Sequence, residues 1–310
     1  MKLEQLRQLT AIVEYGSLRA AARGLELPQP ALTRSVRALE RELGVELFAR
    51  QTTGMVLTHA GRRFHRHAAA IVNEARRARE EIAQERGESA GSVSVALSIA
   101  PHVGMLPGAL PEFRRRYPHV LLQITEGLLP DVEAQLRDGS LDFYLGAAPR
   151  SAPGAGLAVQ HLSENTRAVL CRRGHPLASA RSLKQLAGAD WAITAVDYNA
   201  EDDIARLFEG HGLAAPRVLL RARTAMTVLV ALAHNDLLAM LPVQWAGYPT
   251  VGEILQIVPV REPLPAPPIV SIRRPDLPLT PAAEHLYDVL LRHLPVQAPA
   301  TRRVRMPGRA

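Results

Sequence analysis

The chain lacks the features that mark membrane, secreted and disulfide-linked proteins. It contains one cysteine, Cys171, so an internal disulfide is excluded and the paired cysteines of a zinc or redox motif are missing. No apolar run reaches the roughly 18 residues that a membrane span needs. The first residues include Glu4 and no basic segment followed by an apolar stretch, so no secretory signal is expected. We therefore expect a cytoplasmic protein.

Sequence motifs for catalysis are also missing. There is no glycine-rich phosphate loop, no nucleophile elbow and no HExxH, and the histidine and acidic residues are scattered without motif spacing. These absences argue against an enzyme. We expect neither a metal nor a cofactor other than a small-molecule ligand.

The positive charge is concentrated at one end of the chain. The 310 residues have a net charge of +7, and residues 1–86 hold 15 Lys and Arg against 10 Asp and Glu. Residues 87–300 hold 18 against 20, and residues 301–310 hold 4 Arg and no acidic residue. A basic head on a nearly neutral body predicts that the head binds a polyanion such as DNA. The length predicts about two modules.

The amino-terminal module has the pattern of three short helices. Leu3, Leu6, Leu9 and Val13 recur at helical spacing, and Gly16 ends this first helix. Ser17 is placed to cap a second helix of small residues. A turn at 25–28 then leads to a third helix over Gln29–Leu43, in which one apolar stripe is predicted to be buried. That stripe consists of Leu32, Val36, Leu39 and Leu43.

The opposite face of the third helix carries side chains that can contact base pairs. In a helix-turn-helix the first turns of the second helix of the motif enter the major groove. Gln can bond bidentately to adenine, Arg to guanine, and a Thr or Ala methyl can contact thymine. The predicted DNA-contacting residues of this helix are Gln29, Pro30, Ala31, Thr33, Arg34 and Arg37.

A hairpin follows the third helix. Two short strand-like runs on either side of the turn Thr53-Gly54 predict a wing. Arg50, Gln51 and Thr53 lie where a wing can contact phosphates or the minor groove, which positions the protein but does not specify a sequence.

These residues together resemble the DNA-binding head of LysR-type transcription regulators. The resemblance implies a tetrameric repressor or activator with the third helix in the major groove, and contact with RNA polymerase is compatible with that role. Two departures bear on base preference: Pro28 stands where Ser or Thr is usual, and Arg34 is bulkier than in many members. The matching residues are Gly16-Ser17-Leu18, Ala21-Ala22, Leu25, Gln29-Pro30-Ala31-Leu32-Thr33, Val36, Leu39-Glu40, Leu43-Gly44, Leu47-Phe48, Arg50, Leu57-Thr58 and Ala60-Gly61.

The segment after the head repeats apolar residues every seven positions. A period of 3.5 residues buries its seam only against a partner helix, so the pattern predicts a homodimer formed by a coiled coil. The predicted dimerisation residues are Phe64, Ala68, Ile71, Ala75, Ala78 and Ile82.

The remaining chain alternates strands and helices. The strands begin at Val93 and recur through residues 120–125 and 141–146, and a second set runs from Trp191 to residue 241. This alternation predicts βαβ units in two similar lobes with parallel sheets. The fold class is therefore α/β, with an N-terminal winged helix-turn-helix and a long dimerisation helix.

Ligands of open α/β sheets bind beyond the carboxyl ends of strands. Between two lobes, such loops can hold a small acid. The residues predicted to bind an effector are Ser98, Ala100, Pro101, His102, Gly127, Leu128, Asp197, Asn199, Thr224 and Pro242.

The family resemblance extends to the body of the chain through the runs 136–142 and 174–177. It implies an effector domain like a type 2 periplasmic binding protein, with segments 268–274 and 280–294 returning to the first lobe. Three runs, 16–22, 135–143 and 277–283, are similar to a regulator of toluenesulfonate degradation, which implies an aromatic acid or sulfonate as effector. The expected domains are the head (1–58), the linker helix (59–88), the effector domain (89–295) and a basic, disordered tail (296–310). Within the effector domain, lobe I covers about 91–162 and 267–295, and lobe II covers about 163–266.

Two other classes of protein are compatible with parts of this pattern. A two-lobed body alone also fits a solute-binding protein without enzymatic activity, although the missing signal and the basic head argue against one. An enzyme is the second alternative. The preferred interpretation is a DNA-binding regulator whose promoter binding changes when an effector alters the angle between the lobes.

Overall fold

A computed structural model of the chain describes residues 1–51, 54–194 and 200–294, without the side chains of residues 50, 51 and 54. The amino-terminal head consists of three helices and a two-stranded antiparallel hairpin. Leu6, Leu9 and Ile12 of the first helix are buried in its core. The elements of the head are α1 (Leu3–Tyr15), α2 (Leu18–Gly24), α3 (Gln29–Leu43), β1 (Phe48–Gln51) and β2 (Gly54–Leu57).

Local sequence signals set the helix ends of the head. Gly16 follows α1 in the left-handed conformation, with φ 71°, which a residue without Cβ adopts at little cost. The Ser17 hydroxyl accepts a hydrogen bond from the Ala20 amide at 3.2 Å, and this confirms the predicted cap of α2. The predicted burial of Leu43 is wrong. It lies in the last turn of α3, beyond the reach of the head core, and is 36% exposed.

A long helix, α4 (His59–Glu85), connects the head to the rest of the chain and is called the linker helix below. Thr58 caps it by accepting a hydrogen bond from the Gly61 amide at 2.9 Å. A side chain at Gly61 would collide with the carbonyl oxygen of Leu47, so glycine is required where the helix passes the start of the wing. Ala68 belongs to the buried core of the head.

The first lobe is built on a five-stranded sheet in the order β4-β3-β5-β12-β6. Strand β3 is parallel to β4 and β5, which is the predicted βαβ pattern. Strand β12 comes late in the chain and pairs antiparallel with β5 and β6, so the chain returns to this lobe as the family resemblance implies. The elements are β3 (Ser92–Leu97), α5 (Ile99–Gly104), α6 (Leu106–Arg116), β4 (Leu121–Glu126), α7 (Leu129–Arg137), β5 (Phe143–Ala147), β6 (Ala158–Ser163), β12 (Ile269–Arg273) and α11 (Pro281–Arg292).

The second lobe repeats this plan with the sheet order β11-β7-β10-β8-β9. Strands β10, β8 and β9 are parallel, and β7 is antiparallel to β10 and β11. The chain crosses between the lobes twice, and the two crossings meet in a bridge between Thr166 and Pro265. The elements are β7 (Arg167–Arg172), β8 (Asp190–Thr194), α8 (Ala200–Glu209), β9 (Arg217–Ala222), α9 (Ala225–His234), β10 (Leu237–Pro242), α10 (Pro249–Ile254) and β11 (Leu255–Val258).

No helix among the residues that the structure describes is both long enough and apolar enough to cross a membrane.

Candidate nucleic-acid interface and effector cleft

Helix α3 presents a polar edge to solvent. Leu32, Val36 and Leu39 anchor it from behind in the head core. The opposite edge is open, because Gln29, Pro30, Arg34 and Arg37 are exposed and Ala31 and Thr33 are half-buried. The Thr33 hydroxyl donates to the Gln29 carbonyl at 3.0 Å, which leaves its methyl group available to a partner. All six residues predicted for base contact on this helix are therefore accessible at least in part.

The turn before α3 is held by backbone geometry. Glu26 has a left-handed backbone, with φ 55°. Among the described residues it is the one residue other than glycine with this conformation. At Pro28, where a capping hydroxyl is usual, the carbonyl accepts from the Ala31 and Leu32 amides at 2.9 and 3.3 Å. The helix thus begins without a side-chain cap.

The wing is anchored to α3 by Glu40, a residue that the sequence analysis gave as part of the family pattern without a role. One carboxylate oxygen of Glu40 accepts from the amides of Leu47 and Phe48 at 2.9 and 3.2 Å. Strand β1 therefore starts at a fixed position relative to the recognition helix. Strand β1 includes the backbone of Arg50 and Gln51, but their side chains, and Thr53 entirely, lie outside the described residues.

The linker helix carries exposed apolar side chains along one face. Ile71 is 46% exposed and Ile82 is 55% exposed, Ala78 is also exposed, and Ala75 is half-buried. Ala68 must be removed from the predicted dimer seam. It is fully buried because the linker helix packs against the core of its own head at this point. Phe64, also predicted for the seam, is half-buried against the same core.

The second half of the linker helix is bonded to the first lobe. Asn73 donates to the Asp138 carbonyl at 2.9 Å, and the Gln84 side chain accepts from the Ala282 amide at 2.9 Å. Arg77 and Asp142 form a buried ion pair at 2.6 Å between nitrogen and oxygen. In the sequence, these bonding residues look like ordinary polar and charged surface residues. Periodicity alone therefore does not predict their contacts with the first lobe.

A cleft lies between the two lobes and is lined by residues of both. Five of the residues predicted to bind an effector line it, namely Ser98, Ala100, Gly127, Leu128 and Pro242. Ser98 and Ala100 come from the start of α5, and Pro242 comes from the end of β10 in the other lobe.

Three predicted residues do not line the cleft. Pro101 is buried and His102 lies farther along α5, where its Nδ1 atom is buried without a hydrogen-bond partner. Thr224 caps α9, accepting from the Thr227 amide at 3.2 Å. The rule that ligands bind beyond the carboxyl ends of strands selects loops and does not predict which side chains in them reach the cleft. Asp197 and Asn199 lie outside the described residues.

Four polar residues that the sequence analysis missed complete the cleft: Glu126, Asn165, Arg167 and Thr194. The Arg167 side chain is only 9% exposed and lies 3.5 Å from Asp203. Asn165 accepts from the Gln244 amide group at 3.0 Å. A signal for Arg167 existed, because an arginine directly precedes the apolar run 168–171, where a strand would bring a cation close to a core.

The apolar lining of the cleft is larger than its polar lining. Ile99, Leu128, Met240, Leu241 and Ile269 contribute alkyl side chains, and they surround the few polar groups. The Ser98 hydroxyl accepts from the Ala147 amide at 3.2 Å. Such a site suits a small molecule with an apolar body and one charged or polar end.

A winged helix-turn-helix, a linker helix with exposed apolar side chains and a two-lobed domain with a cleft between its lobes are the features of a DNA-binding regulator that senses a small molecule. Residues 3–62 match the bacterial regulatory helix-turn-helix proteins of the lysR family, and residues 86–295 match the LysR substrate binding domain. The chain belongs to the LysR family. It is a DNA-binding transcriptional regulator with a domain for small-molecule effectors.

Similar proteins support this assignment over nearly the full length. The HTH-type transcriptional regulator GbpR of Azospirillum brasilense is 26% identical over 286 residues, covering 91% of this chain and 84% of the relative. The SDS degradation transcriptional activation protein of Pseudomonas sp. is 27% identical over 301 residues, covering 93% of this chain and 95% of the relative.

Solved structures establish the same fold. CbnR in complex with its target DNA has a TM-score of 0.67 and 23% identity, covering 95% of this chain and 100% of that one. A full-length OxyR variant from Pseudomonas aeruginosa has a TM-score of 0.69 and 22% identity, covering 94% of each chain.

Proposed function

We propose that the effector is a small anion with an apolar body, an aromatic acid or sulfonate, and that it binds in the cleft. The observation that carries this proposal is Arg167, a nearly buried cation that lines the cleft. A guanidinium matches the planar oxygens of carboxylates and sulfonates and binds them through two hydrogen bonds. The similarity of three sequence runs to a regulator of toluenesulfonate degradation supports the same class, as does a relative named for SDS degradation.

On the DNA side, we propose direct readout by α3 and positioning by the wing. Gln29 and Arg34 stand at the exposed start of the helix, where side chains reach base edges. Arg50, Gln51 and Thr53 of the wing contact the sugar-phosphate backbone. Binding of the effector changes the angle between the lobes, and the assembly transmits this change to the spacing of the heads. DNA bending and access of RNA polymerase then change together.

We further propose that two copies pair through the linker helix and that two such dimers form a homotetramer. Ile71, Ala75, Ala78 and Ile82 repeat at heptad spacing on one face, where Ala75 is half-buried and the other three are exposed. Desolvating two isoleucines per helix favours pairing, because each buried apolar side chain contributes about 1.5 to 3 kcal/mol.

Sedimentation tests the pairing face. Ile71→Glu with Ile82→Glu should lower the oligomeric state, whereas Ile254→Glu, which places the same charge at an exposed isoleucine of the second lobe, should not. If the double variant sediments like the wild-type chain, the proposed seam is wrong.

We infer that the chain carries out no catalysis and needs no cofactor beyond the effector. The missing catalytic motifs support this inference. Chromatography of a bound effector after long incubation should recover it unchanged, and a new product would contradict the inference.

Footprinting on the promoter of the neighbouring operon tests the regulatory mechanism. Wild-type protein is examined alone, with p-toluenesulfonate, with benzoate and with the neutral p-toluenesulfonamide. We expect one of the anions to change the length or spacing of the protected region and the sulfonamide to have no effect. An identical footprint in all four samples contradicts an effector of this class.

A further inference from the structure

A second cavity lies where the head, the linker helix and the first lobe meet. We call it the junction pocket, and each of these three parts contributes one titratable side chain to it: Glu14 from α1, His65 from the linker helix and Asp138 from the residue after α7. It offers about 590 Å³ to water, which is room for a small organic molecule. None of its residues lines the effector cleft.

The junction pocket holds two carboxylates that have no cation bound to them. Glu14 is exposed on the last turn of α1, and it forms neither a hydrogen bond nor an ion pair within the described part of the chain. The Oδ1 atom of Asp138 accepts from the Ser140 amide and hydroxyl at 2.9 and 2.7 Å. Asp138 also forms no ion pair with a described residue, so both carboxylates are free to bind a cation.

The cations near the junction pocket are bound to other acids. Arg76 lines the pocket, but its Nη1 atom lies 2.6 Å from Glu80 and also donates to the Ser92 hydroxyl at 3.0 Å. Arg274 lies within electrostatic range of Asp138, and its guanidinium pairs with Asp276 at 2.7 Å. The negative charge of the two pocket carboxylates is therefore not neutralised by direct contact.

His65 adds a neutral hydrogen-bonding group to the junction pocket. Burial lowers the pKa of its ring below the ordinary value of 6.5, and this effect outweighs the attraction of Asp138. The ring is therefore neutral at pH 7, and one of its nitrogens can accept a hydrogen bond. His65 has no hydrogen-bond partner among the residues that the structure describes.

The arrangement of these groups favours an elongated ligand over a metal ion. Within the described ranges, no group of three or more His, Cys, Asp and Glu side chains could hold a metal ion. One ion therefore does not satisfy Glu14, His65 and Asp138 together, whereas a longer molecule with a donor at each end can contact separate acceptors.

The junction pocket also has an apolar surface. Val13 of α1 and Ala69 and Val72 of the linker helix line it, and the two valines are half-buried. A methylene chain that covers such side chains removes apolar surface from water, which is favourable. The pocket thus combines carboxylates from two parts of the protein with alkyl side chains, and this matches a molecule with two cationic ends and an apolar middle.

We propose that the junction pocket binds an aliphatic diamine, with one ammonium group at Glu14 of the head, the other at Asp138 of the first lobe, and the methylene chain against Val13 and Val72. The His65 ring accepts a further hydrogen bond from the ligand. Since this site shares no residue with the effector cleft, the proposal does not depend on the anionic class of effector.

A diamine at this site would connect two parts of the chain that have no direct polar contact. The side chains of Gln8 and Thr10 bond within α1, to Glu4 at 3.3 Å and to the Arg7 carbonyl at 2.9 Å. No hydrogen bond or ion pair between described residues joins α1 to the first lobe. The ligand therefore stabilises the observed position of the head on the lobe, and thermal unfolding of the full-length chain should shift to higher temperature when it binds.

Calorimetry with the full-length chain at low salt tests the ligand class. The probes are diaminobutane, diaminohexane, n-hexylamine and the neutral hexanediol. We expect the better diamine to bind about tenfold more tightly than n-hexylamine, because it makes a second charge-assisted hydrogen bond. Hexanediol should not bind. If the diamines bind no better than n-hexylamine, or do not bind at all, the proposed ligand is wrong.

Two conservative variants test the position of the ligand. Glu14→Gln and Asp138→Asn should each weaken binding of the better diamine about three- to tenfold, because each replaces a charged acceptor by a neutral one of the same shape. Asp138→Asn keeps an oxygen that can accept from Ser140. In the double variant, the diamine should bind within about twofold of n-hexylamine.

Two further variants serve as controls. Glu74→Gln removes a carboxylate from an exposed position of the linker helix that does not line the junction pocket, and Glu126→Gln removes one from the effector cleft. Neither should change the affinity for the diamine. An equal loss in Glu74→Gln would show diffuse attraction to an acidic surface, and a loss in Glu126→Gln without one in Glu14→Gln would place the amine in the cleft. Either result overturns the proposal.

Thermal unfolding supplies a second measurement that does not depend on the Asp138 variant. Glu14 is exposed, so Glu14→Gln should fold like the wild type, and circular dichroism checks this. We expect the diamine to raise the unfolding temperature of the wild type and of Glu74→Gln and to have a smaller effect on Glu14→Gln. The same shift in all three proteins would show that Glu14 does not bind the ligand, and the proposed site would be wrong.

Discussion

Arg77 of the linker helix and Asp142 of the first lobe form an ion pair whose side chains are only 4% and 3% exposed. The second carboxylate oxygen of Asp142 accepts from the Ser94 amide at 2.7 Å. Burial lowers the pKa of Arg77 and raises the pKa of Asp142, and their mutual attraction offsets only part of each shift. The pair therefore fixes the position of the linker helix on the lobe more than it stabilises the fold.

Removing one partner of this pair should destabilise the folded protein. Arg77→Met leaves the Asp142 carboxylate buried without its counter-ion, and we expect unfolding in urea to show a loss of about 3 to 5 kcal/mol. The double variant Arg77→Met with Asp142→Leu should recover most of that loss. Arg79→Met, at an exposed arginine of the same helix, is the control and should change stability little. A double variant as unstable as the single one would show that the pair itself is strongly stabilising.

The sequence predicts the parts of this protein that depend on local patterns. The helix ends at Gly16 and Ser17 and the parallel strands of both lobes follow from spacing and capping, which act over a few residues. The burial of Ala68 does not follow, because it depends on how the linker helix lies against its own head.

The cleft illustrates the same limit. Ser98 is predicted because it directly follows a strand, whereas Asn165 and Arg167 reach the cleft only through the arrangement of two separate lobes. Arg77 and Asp142 are 65 residues apart in the chain, and no pattern in either neighbourhood identifies the partner. Contacts between distant segments therefore account for most of what sequence reasoning missed.

Backbone conformation gives a second prediction. Glu26 has a left-handed backbone in the turn before α3, with φ 55°, and a side chain there costs about 1 kcal/mol relative to glycine. Glu26→Gly should therefore raise the free energy of unfolding by up to about 1 kcal/mol. Gly16→Ala is the reciprocal case, since φ is 71° and nothing lies within 4 Å of the added Cβ, and it should lower stability by about 1 kcal/mol. Thermal unfolding measures the change in stability that each substitution causes. If both substitutions stabilise the protein, or both destabilise it, the argument is wrong.

The third prediction concerns pH. The His285 ring stacks on Phe113 and lies tilted against Tyr117, and its Nε2 atom is buried without a hydrogen-bond partner. Burial lowers its pKa from the ordinary value of 6.5, and this outweighs the nearby Glu112. The folded state therefore prefers the neutral ring, so the stability that it contributes is present above pH 6.5 and is lost as pH falls below 6.5 through the lowered pKa of the folded state.

The measurement is the free energy of unfolding between pH 7.5 and about pH 5. We expect wild-type stability to fall over this range, and His285→Gln should make the slope shallower by up to about one bound proton. His65, whose pKa burial also lowers, supplies part of the remaining slope. His59→Gln is the control, because His59 is exposed at the start of the linker helix. An unchanged slope in His285→Gln would show that the ring does not titrate over this range.

The last prediction separates the two modes of DNA contact. Arg34 is exposed on the first turns of α3, so Arg34→Ala should lose about 1 to 3 kcal/mol at one base pair of the operator and little on unrelated DNA. Gln29→Ala should behave in the same way at a different base pair. Arg50→Ala should weaken binding to every sequence alike and reduce the salt dependence by about one phosphate contact, because a wing arginine meets the backbone.

The affinities of these three variants are measured for the operator, for its single-base variants and for unrelated duplexes, each at several salt concentrations. Arg41→Ala serves as the control, since Arg41 is exposed in the last turn of α3, at the end away from the bases. If Arg34→Ala weakens all duplexes equally, Arg34 contacts phosphate and the readout depends on other residues. If the wild-type chain fails to bind any duplex at low salt, the open polar edge of α3 has another purpose, because electrostatic attraction alone should retain a basic winged helix on DNA under those conditions.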